Sequence, residues 1–575
     1  MKTTPYDKIP YIKHIYQQTQ PNNLATIATL FGMQPPPVET CRVLELGCAS
    51  GINILAMAQA IPNGEFVGIE LSAQQIQEGQ NNIRQLGLQN ITLKQMDILD
   101  IGAELGKFDY IVAHGVYSWV PPKVRDKILQ ICRHHLQPNG VAYVSYNVLP
   151  GWHIEQTLRE MMLYRTRHLT DPKEKLEQAK ALLNFFVDAI KPRYDSYSLS
   201  LRKELHRVTQ LNENYLFHEY LEDNNEAVFF YEFIEHATQN GLQYITDTTA
   251  TFASIENFLE EADKLGMSLI EKEQYFDFLR NTQFRATLLC HQPISLNRNL
   301  VPDKLSDFYI AAPLKPASQN QSTAAEISEK VKHEMLEQFN NLAGEAVLSV
   351  TSPLLKAVCL CLGEVWPQSL SFDSLILQVY KLLRMVEWER DKEQREIDGT
   401  GQQERGQRAN GQGPEGQGPG GQGAEKKENK TDQTGLSPQE IDEVKTMLLA
   451  FYLKNIVELS VYPPQFTLNL SEHPIASPIA RLQSEQGKQV TNLRYEVFSL
   501  DFATRKVLKH LEGTHDRAAL LEILQKSIEN GDLTLYQGED KKALTEIDSE
   551  ELHHHLSQQI QEILHSLANK AYLVA

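Results

Sequence analysis

Residues 41–150 alternate between short β-rich runs and helical stretches, and this alternation constrains the fold more than any other feature of the chain. The predicted strands share β-branched, aliphatic and aromatic residues and lie at 42–46, 65–69, 91–95, 108–112 and 141–145. Between them, helical periodicity covers 52–61, 72–86 and 121–136. Strands that alternate with helices of about 10–15 residues favour a parallel sheet. We therefore predict an α/β, doubly wound, Rossmann-like domain followed by mainly helical modules.

The composition changes sharply at one place in the second half of the chain. Residues 401–423 contain nine of the 31 glycines, together with Gln and Pro and almost no apolar residues. Such a segment cannot bury enough apolar surface to fold, so we predict a disordered linker. The capping-box pattern Ser437-Pro-Gln-Glu440 predicts that a helix begins immediately after it.

These patterns predict seven parts along the chain. They are an N-terminal segment (1–37), the doubly wound domain (38–152), a helical connection (153–216), a second domain (217–300), a helical segment (301–389), the linker (390–436) and a C-terminal α/β module (437–575).

Charge and cysteine content limit the partners and the compartment. The 575-residue chain has 55 Lys plus Arg against 74 Asp plus Glu, a formal net charge of −19. This acidic balance argues against a nucleic-acid partner, because phosphate-binding surfaces are usually basic. The six Cys form no CxxC pair, which favours a reducing compartment. Because we find no apolar signal region and no run of about 18 apolar residues, we expect a cytoplasmic protein without membrane insertion.

Two clusters of metal-capable side chains favour structural interpretations. Three consecutive histidines, 553–555, would point in different directions from a helix, so we expect a solvated helix face. Cys359 and Cys361 lie in an apolar helical stretch beside Trp366, where core packing is the simpler expectation. We therefore predict no metal site.

The block Val43-Leu-Glu-Leu-Gly-Cys-Ala-Ser-Gly51 carries the clearest chemical signal. A predicted strand ends at Gly47 and a helix begins after Gly51, so a turn of small residues lets the backbone approach a ligand at a helix N-terminus. Glu70 follows the second strand, where a carboxylate can accept hydrogen bonds from both hydroxyls of a ribose. Asp97 follows the third strand and can accept from an adenine amino group. A nucleoside-containing cofactor is therefore predicted at this edge of the sheet.

The glycine pattern discriminates between two classes of nucleoside cofactor. A dinucleotide-dependent oxidoreductase would carry G-x-G-x-x-G, but Ala49 occupies the middle position and the third glycine is missing. The pattern Glu-x-Gly-x-x-x-Gly instead resembles the first motif of class I S-adenosylmethionine (SAM)-dependent methyltransferases, many of which have Gly at the position of Ala49. The resemblance implies SAM as cofactor, with the turn facing its methionine part, Glu70 holding the ribose and Asp97 the adenine. Glu45 would orient the methionine amino group. The cofactor-binding residues implied by position are Glu45, Gly47, Cys48, Ala49, Gly51, Glu70, Leu71, Asp97, Ile98 and His114.

Other stretches resemble bacterial methyltransferases that carry a methyltransferase regulatory domain. In the catalytic domain the matching stretches are 41–49, 114–121, 141–147 and 150–152; in the regulatory domain they are His218-Glu-Tyr-Leu221, 275–280 and 284–291. The family includes protein-lysine methyltransferases that act on bacterial outer-membrane proteins. The resemblance thus implies a protein substrate presenting lysine, and a homodimer.

The candidate catalytic residues follow the fourth and fifth predicted strands. A lysine nucleophile, with a pKa of about 10.4, must lose a proton before an in-line displacement at a sulfonium. An apolar pocket beside a positive sulfonium lowers that pKa, so a dedicated base is not essential. Tyr117, Trp119 and Tyr146 would line a channel that favours an ammonium, although core packing is an equal alternative. His114 would relay a proton, with a structural hydrogen bond as its alternative.

These motifs leave three functions open. The leading expectation is a SAM-dependent methyltransferase that acts on lysine side chains of proteins. A methyltransferase acting on N or O of a small molecule is the first alternative, and a non-catalytic SAM-binding regulator is the second. The acceptor is not identified by the sequence.

Overall fold

The structure is a computed structural model in which residues 14–191, 193–248, 256–317, 336–342, 344–405, 435–533, 536–537, 542–543 and 549–575 are described. These residues form two compact units. The first contains the described residues up to 250, those between 254 and 299, and those from 464 onward. The second contains the described residues between 300 and 463.

A seven-stranded sheet of order β3-β2-β1-β4-β5-β7-β6 organises the first unit. Its strands are β1 (Arg42–Leu46), β2 (Glu65–Glu70), β3 (Ile91–Gln95), β4 (Phe108–Ala113), β5 (Leu136–Asn147), β6 (Leu242–Asp247) and β7 (Phe284–His291). Strands β1 to β5 pair in parallel, whereas β7 is antiparallel to both β5 and β6. This sheet confirms the predicted doubly wound, Rossmann-like class.

The parallel strands alternate with helices, as the sequence pattern requires. These helices are α1 (Pro21–Leu30), α2 (Ile52–Ala60), α3 (Ala73–Leu86) and α4 (Pro122–His135). Helix α3 begins where the Ser72 hydroxyl accepts a hydrogen bond from the Gln75 amide at 3.2 Å, and it ends at Gly87 in the left-handed conformation. Strands β1 and β4 are almost fully buried apolar runs, which suits the centre of a parallel sheet. Their carboxyl ends therefore meet at one edge.

Four helices follow β5 and build a separate hydrophobic core. They are α5 (Trp152–Thr166), α6 (Pro172–Ala189), α7 (Ser196–Thr209) and α8 (Glu213–Leu221). Leu158 and Met162 of α5 pack with Leu205 of α7 and Tyr220 of α8 in this core. Because α5 starts only a few residues after β5, its first turn lies near the carboxyl edge of the sheet.

The chain then returns to the sheet within the region predicted as the second domain. Strand β6 follows α9 (Phe230–Gln239), and β7 follows α10 (Glu256–Lys264) and α11 (Leu269–Arg280). Strand β7 pairs along β5, with Leu289 opposite Ala142 and Leu288 opposite Tyr143. This region thus completes the sheet begun by residues 42–147, because antiparallel pairing covers the edge of β5.

The second unit mixes helices with short strands. Its elements are β8 (Tyr309–Ala311), β9 (Lys315–Pro316), β10 (Glu337–Asn340), β11 (Ala346–Val350), α12 (Pro353–Val365), β12 (Leu370–Ser371), α13 (Phe372–Arg405), α14 (Pro438–Leu453) and β13 (Glu458–Ser460). The segment predicted as helical at 301–389 therefore contains strands as well as helices. The predicted capping box is confirmed, since the Glu440 amide donates to the Ser437 hydroxyl at 3.3 Å and the Ser437 amide donates to the Glu440 carboxylate at 2.7 Å.

Helix α13 extends beyond the predicted start of the linker. It runs to Arg405, whereas the sequence analysis placed the linker from residue 390. Glu, Gln, Lys and Arg dominate this stretch, and all four have high helix propensity even without apolar surface to bury. Residues 406–434 of the predicted linker lie outside the described residues.

The C-terminal part of the chain belongs to the first unit. Its elements are α15 (Pro478–Gln486), β14 (Gln489–Thr491), β15 (Val497–Ser499), α16 (Phe502–Lys509), α17 (Arg517–Glu529), β16 (Tyr536–Gln537), β17 (Lys542–Ala543) and α18 (Ser549–Asn569). Gln59 of α2 donates to the Ser477 hydroxyl at 3.0 Å and accepts from the Ile479 amide at 2.9 Å. These bonds connect the start of α15 to the helix that follows the glycine-rich turn.

Two expectations from composition concern the whole chain. All six Cys are buried free thiols, and Cys359 and Cys361 lie in the apolar helix α12, as predicted. None of the described helices combines the length and the apolar character that crossing a bilayer requires.

Candidate active site

The turn after β1 has the conformation that its small residues favour. Gly47, Ala49 and Gly51 all have positive φ, at 68°, 50° and 77°. A Cβ atom on Gly47 would lie 2.6 Å from Cγ2 of Val116, so a larger residue there would displace the segment after β4. Left-handed backbone is costly for a residue with Cβ, so the position of Ala49 is one that Gly would occupy without strain. The amides of Gly47, Cys48, Ala49 and Gly51 donate hydrogen bonds within the protein, which hold the turn in this conformation before α2.

The two predicted acids lie at the ends of β2 and β3. Glu70 Oε2 accepts from the Ala49 amide at 3.1 Å, and Oε1 accepts from the Ser72 amide at 2.9 Å. Its carboxylate therefore touches the turn directly. Asp97 Oδ1 accepts from the Leu99 amide at 2.9 Å, which fixes the side chain beside the same edge.

Glu45 is buried beneath the turn and connects it to the N-terminal segment. Asn53 Nδ2 donates to Glu45 Oε1 at 2.7 Å, while Asn53 Oδ1 accepts from the Tyr16 amide at 2.9 Å. Burial raises the pKa of the Glu45 carboxyl to about 7, despite the hydrogen bond from Asn53. Among the described residues, Glu45 Oε2 has no hydrogen-bond partner. A buried orphan oxygen of this kind fits a ligand that supplies a donor, such as an amino group.

A cavity of about 860 Å³ joins these elements. All but one of the cofactor-binding residues implied by the sequence line this cavity, namely Glu45, Gly47, Cys48, Ala49, Glu70, Leu71, Asp97, Ile98 and His114. The exception is Gly51, which shapes the turn. We call this part the cofactor half. Residues 14, 16 and 18, which precede α1, also line the cavity. The turn, the orphan oxygen and the two edge carboxylates match the groups of SAM that need donors and acceptors.

His114 lies at the end of β4, within the cavity wall. Its ring packs on Tyr16 with centroids 3.8 Å apart, and its Nδ1 is 2.9 Å from the Tyr143 hydroxyl. Burial lowers the pKa of His114 to about 4, so the imidazole is neutral at pH 7. The predicted proton-relay role stays a prediction; the contacts seen here are those of an oriented, neutral ring.

The other three predicted catalytic residues fall into two groups. Trp119 lines the cavity. Tyr117 and Tyr146 instead belong to the hydrophobic core, where the Tyr117 hydroxyl is 2.8 Å from His236 Nδ1 and the Tyr146 hydroxyl is 3.0 Å from Thr287 Oγ1. This placement matches the core-packing alternative for the two tyrosines.

Apart from Trp119, a further part of the lining comes from residues that the sequence analysis did not assign to the site. We call it the acceptor half, and it includes Trp119, Asn147, Trp152, Glu155, Arg207, Tyr215, His218, Glu219, Tyr220, Gln283 and Phe284. Several of these lie in stretches that carried the family resemblance, such as 150–152 and 218–221. That resemblance was the available signal, but it did not assign a role to any single residue.

The structure also brings one group of metal-capable side chains together in the described residues, at His510, Glu512 and His515. Glu512 is already engaged, since Arg481 lies 3.1 Å from its carboxylate. Two of the three consecutive histidines, His553 and His554, are exposed on α18, as expected for a solvated helix face.

Three family models match successive parts of the chain. A "Methyltransferase domain" matches residues 37–219, a "Predicted methyltransferase regulatory domain" matches 212–291, and a "PKMT, C-terminal winged helix domain" matches 472–572. The first covers the cofactor turn and α5 to α8, and the second covers β6 and β7. The third covers the C-terminal elements that contact α2.

Relatives and solved structures agree with these matches. Uncharacterized protein RP789 of Rickettsia prowazekii is 33% identical over 540 residues, which is 92% of this chain and 87% of that protein. Uncharacterized protein RP028 of the same organism is 42% identical over 40% of this chain and 93% of its own length. The structure of PKMT2 from Rickettsia typhi, solved also in complex with AdoHcy, is similar with a TM-score of 0.79 and 28% identity over 98% of this chain and 100% of that one.

The chain therefore belongs to the class I SAM-dependent methyltransferases that carry a methyltransferase regulatory domain and a PKMT winged helix domain. Its cofactor is SAM, and its activity is SAM-dependent methyl transfer. The family resemblance seen in the sequence is confirmed.

Proposed function

We propose that this chain is a protein-lysine N-methyltransferase that transfers methyl groups from SAM to lysine side chains of a protein substrate. The observation that carries the proposal is the acceptor half, which continues from the cofactor half and opens to the surface. Phe284 and the Arg207 side chain, both in its lining, are 41% and 44% exposed. A lysine on a polypeptide needs an open route of this kind, whereas small molecules are usually enclosed.

The comparisons support the same acceptor. PKMT abbreviates protein lysine methyltransferase, and this name belongs both to the winged helix model matched by residues 472–572 and to the Rickettsia typhi structure. We extend the acceptor class from those proteins to this chain. With it we propose a cytoplasmic site of action, a homodimer and no nucleic-acid partner.

The chemistry asks the protein to position reactants and keep water away from them. When bound, SAM supplies a methyl group on a positively charged sulfur; a neutral amine takes it as the N–C bond forms and the C–S bond breaks, leaving a neutral thioether. The rings of Trp119 and Trp152 line the route and provide surfaces that attract an ammonium. His114 stays neutral, so it adds no positive charge that would repel the incoming lysine.

Labelled SAM provides the test. The full-length protein is incubated with SAM carrying a labelled methyl group and a bacterial outer-membrane protein fraction, and the proteins are then hydrolysed in acid. We expect the label in methyl-lysine, and a Glu70→Ala variant should yield almost none. Label confined to small molecules would support the small-molecule alternative, and bound SAM without any S-adenosylhomocysteine formed would support the regulator.

A further inference from the structure

We infer that Glu155 and Glu219 bind the lysine ammonium in the acceptor half and take its proton before methyl transfer. We call these two residues the carboxylate pair. The inference rests on the proposed function and deepens it, since it names the residues that would select and deprotonate the acceptor.

The carboxylate pair lies on two different helices that face the cavity. Glu155 is in the first turn of α5, and Glu219 is near the end of α8. Both line the same cavity as Glu45 and Gly47. Burial, and then the charges of Glu45 and Glu219, raise the pKa of Tyr16 to about 12, so Glu45 and Glu219 both act on the Tyr16 hydroxyl. Tyr16 lines the same cavity, which places Glu219 near Glu45 of the cofactor half.

Each carboxylate has an oxygen without a hydrogen-bond partner. Glu155 is 2% exposed and Glu219 is 8% exposed. Within the described residues, neither Glu155 Oε2 nor Glu219 Oε2 accepts a hydrogen bond. Burying an unpaired carboxylate oxygen costs free energy, which a ligand with donors would recover. An ammonium has three N–H donors and a positive charge, so it supplies what an unpaired carboxylate oxygen of either residue lacks.

Both carboxyl groups of the pair also have protein partners, and that of Glu219 is hydrogen-bonded to the Tyr215 side chain. Gln283 Nε2 donates to Glu155 Oε1, and Arg207 lies 3.6 Å from the same oxygen. Arg207 pairs more closely with Glu204, to which Nη2 and Nε both donate, Nε at 2.8 Å. Thus one oxygen of Glu155 is anchored by Gln283, and the Glu155 carboxyl group also lies within hydrogen-bond reach of Glu204.

The charge balance around the pair favours a cation. Three carboxyl groups, Glu155, Glu204 and Glu219, face two guanidinium groups, Arg159 and Arg207. Burial raises the pKa of Glu155 to about 7, and the charge of Glu204 adds to this effect. Burial likewise raises the pKa of Glu219 to about 7. The titratable and charged groups facing the pair are Tyr16, Arg159, Glu204, Arg207, Tyr215, His218 and Tyr220.

The proton step balances without any further reactant. A lysine ammonium transfers one N–H proton to a carboxylate oxygen of the pair, which gives a neutral amine and a neutral carboxylic acid. A carboxyl group with a pKa near 7 is a much better acceptor for this proton than one at 4.5. The lone pair on the amine nitrogen is then free for methyl transfer, and the carboxylic acid releases its proton to solvent after the product leaves.

The test compares Glu155→Gln, Glu219→Gln and the conservative Glu219→Asp with the wild type. Glu273→Gln is the matched control, because Glu273 is a largely buried carboxylate that pairs with Arg285 and does not line the cavity. Initial rates of methyl-lysine formation are measured with labelled SAM and the outer-membrane protein fraction. Calorimetry gives the Kd of S-adenosylhomocysteine for each protein, and thermal unfolding checks that each one is folded.

We expect each Gln variant to lose about 30-fold or more in kcat/KM at pH 7, with the Kd of S-adenosylhomocysteine within threefold of the wild type. Glu219→Asp should recover part of the loss, and the control should stay within threefold. Wild-type rates should level off above about pH 7, whereas the Gln variants should gain about tenfold per pH unit up to pH 9, because only spontaneous deprotonation remains.

Three results would contradict either the carboxylate pair or the proposed function. Gln variants that keep kcat/KM within threefold would overturn the carboxylate pair while leaving the proposed function standing. A Kd for S-adenosylhomocysteine raised more than tenfold in Glu219→Gln would assign the pair to the cofactor and also overturn the inference. A wild-type protein that forms no methyl-lysine would instead overturn the proposed function on which the inference rests.

Discussion

Two buried clusters in the first unit both combine carboxyl groups with guanidinium groups, but they differ in whether all of their polar atoms have hydrogen-bond partners. In the first, Arg285 bonds Asp277 at 2.9 Å and Glu273 at 3.0 Å, and lies 3.6 Å from Asp247. Within the described residues, no side-chain nitrogen or oxygen of these four is buried without a partner. We call this the closed cluster.

The second cluster contains the carboxylate pair with Glu204, Arg159 and Arg207, and we call it the open cluster. Glu155 Oε2, Glu219 Oε2 and Arg159 Nη1 are buried without hydrogen-bond partners in the described part of the chain. The open cluster borders the cavity, and the closed cluster does not. Burial and charge alone therefore do not mark a site. Unsatisfied polar atoms beside an accessible cavity do.

Removing the cation of the closed cluster should have the largest effect on stability. Arg285→Met would leave three carboxyl groups buried without their shared partner, and breaking a buried ion pair in this way costs about 3–5 kcal/mol. We expect a strongly lowered Tm, or no soluble protein, in thermal unfolding experiments. A Tm within about 3 °C of the wild type would show that the closed cluster is not a stabilising element.

Glu70 combines features of both clusters, since its carboxylate has two backbone partners and also lines the cavity. Glu70→Ala should lower the affinity for S-adenosylhomocysteine about 30- to 100-fold, as expected when charged hydrogen bonds of about 2–3 kcal/mol are lost. Calorimetry measures the Kd. Glu65→Ala is the control, because Glu65 is exposed at the opposite end of the same strand and should change the Kd less than twofold. Equal losses in both variants would contradict the assignment of Glu70.

The open cluster should make stability depend on pH in a predictable direction. Folding raises the pKa of Glu155 and Glu219 from 4.5 to about 7, so the folded state holds more protons than the unfolded state between these values. The stabilisation of the folded state therefore falls as the pH rises through this window, by on the order of 2 kcal/mol.

Comparison with the double variant Glu155→Gln, Glu219→Gln isolates this contribution. Glu45 has a similarly raised pKa but is present in both proteins, so its effect cancels. Between pH 5 and pH 7.5 we expect the wild-type Tm to fall by several degrees relative to the double variant. Parallel Tm curves would mean that the pair titrates normally and that the open cluster is solvated.

The smallest effects should separate core aromatics from those that line the cavity. Tyr117→Phe removes one buried hydrogen bond to His236, worth about 1 kcal/mol, and should leave kcat/KM within threefold. Trp119→Ala removes a ring from the cavity wall and should lower kcat/KM about tenfold. Methyl-lysine rates and Tm values check both. A larger loss of kcat/KM in Tyr117→Phe than in Trp119→Ala would indicate that Tyr117 takes part in catalysis.

The cofactor half could be predicted from the sequence because its residues lie in short local patterns. Gly47, Glu70 and Asp97 each follow a predicted strand, and parallel strands bring their carboxyl ends to one edge. The positions of the strands in the sequence were therefore enough to predict that these residues lie close together. The doubly wound class followed from the same alternation.

The acceptor half could not be predicted in the same way. Glu155 and Glu219 lie on helices, where an isolated carboxylate usually indicates a solvated face. Their burial depends on how α5 and α8 pack against the end of the sheet, which no local period encodes. The pairing of β7 with β5 is equally non-local, since it joins residues 284–291 to residues 136–147 across seven helices and strand β6. The run 284–291 was noticed only as a match to the family.

The order of β7 in the sheet has a consequence for how the protein is made. Strand β5 is complete when the ribosome has reached Asn147, but its partner β7 ends at His291. At about 5–20 residues per second, synthesis of the intervening stretch takes roughly 7–30 seconds. During that interval the nascent sheet presents an unpaired, apolar strand edge, which is a hazard for aggregation.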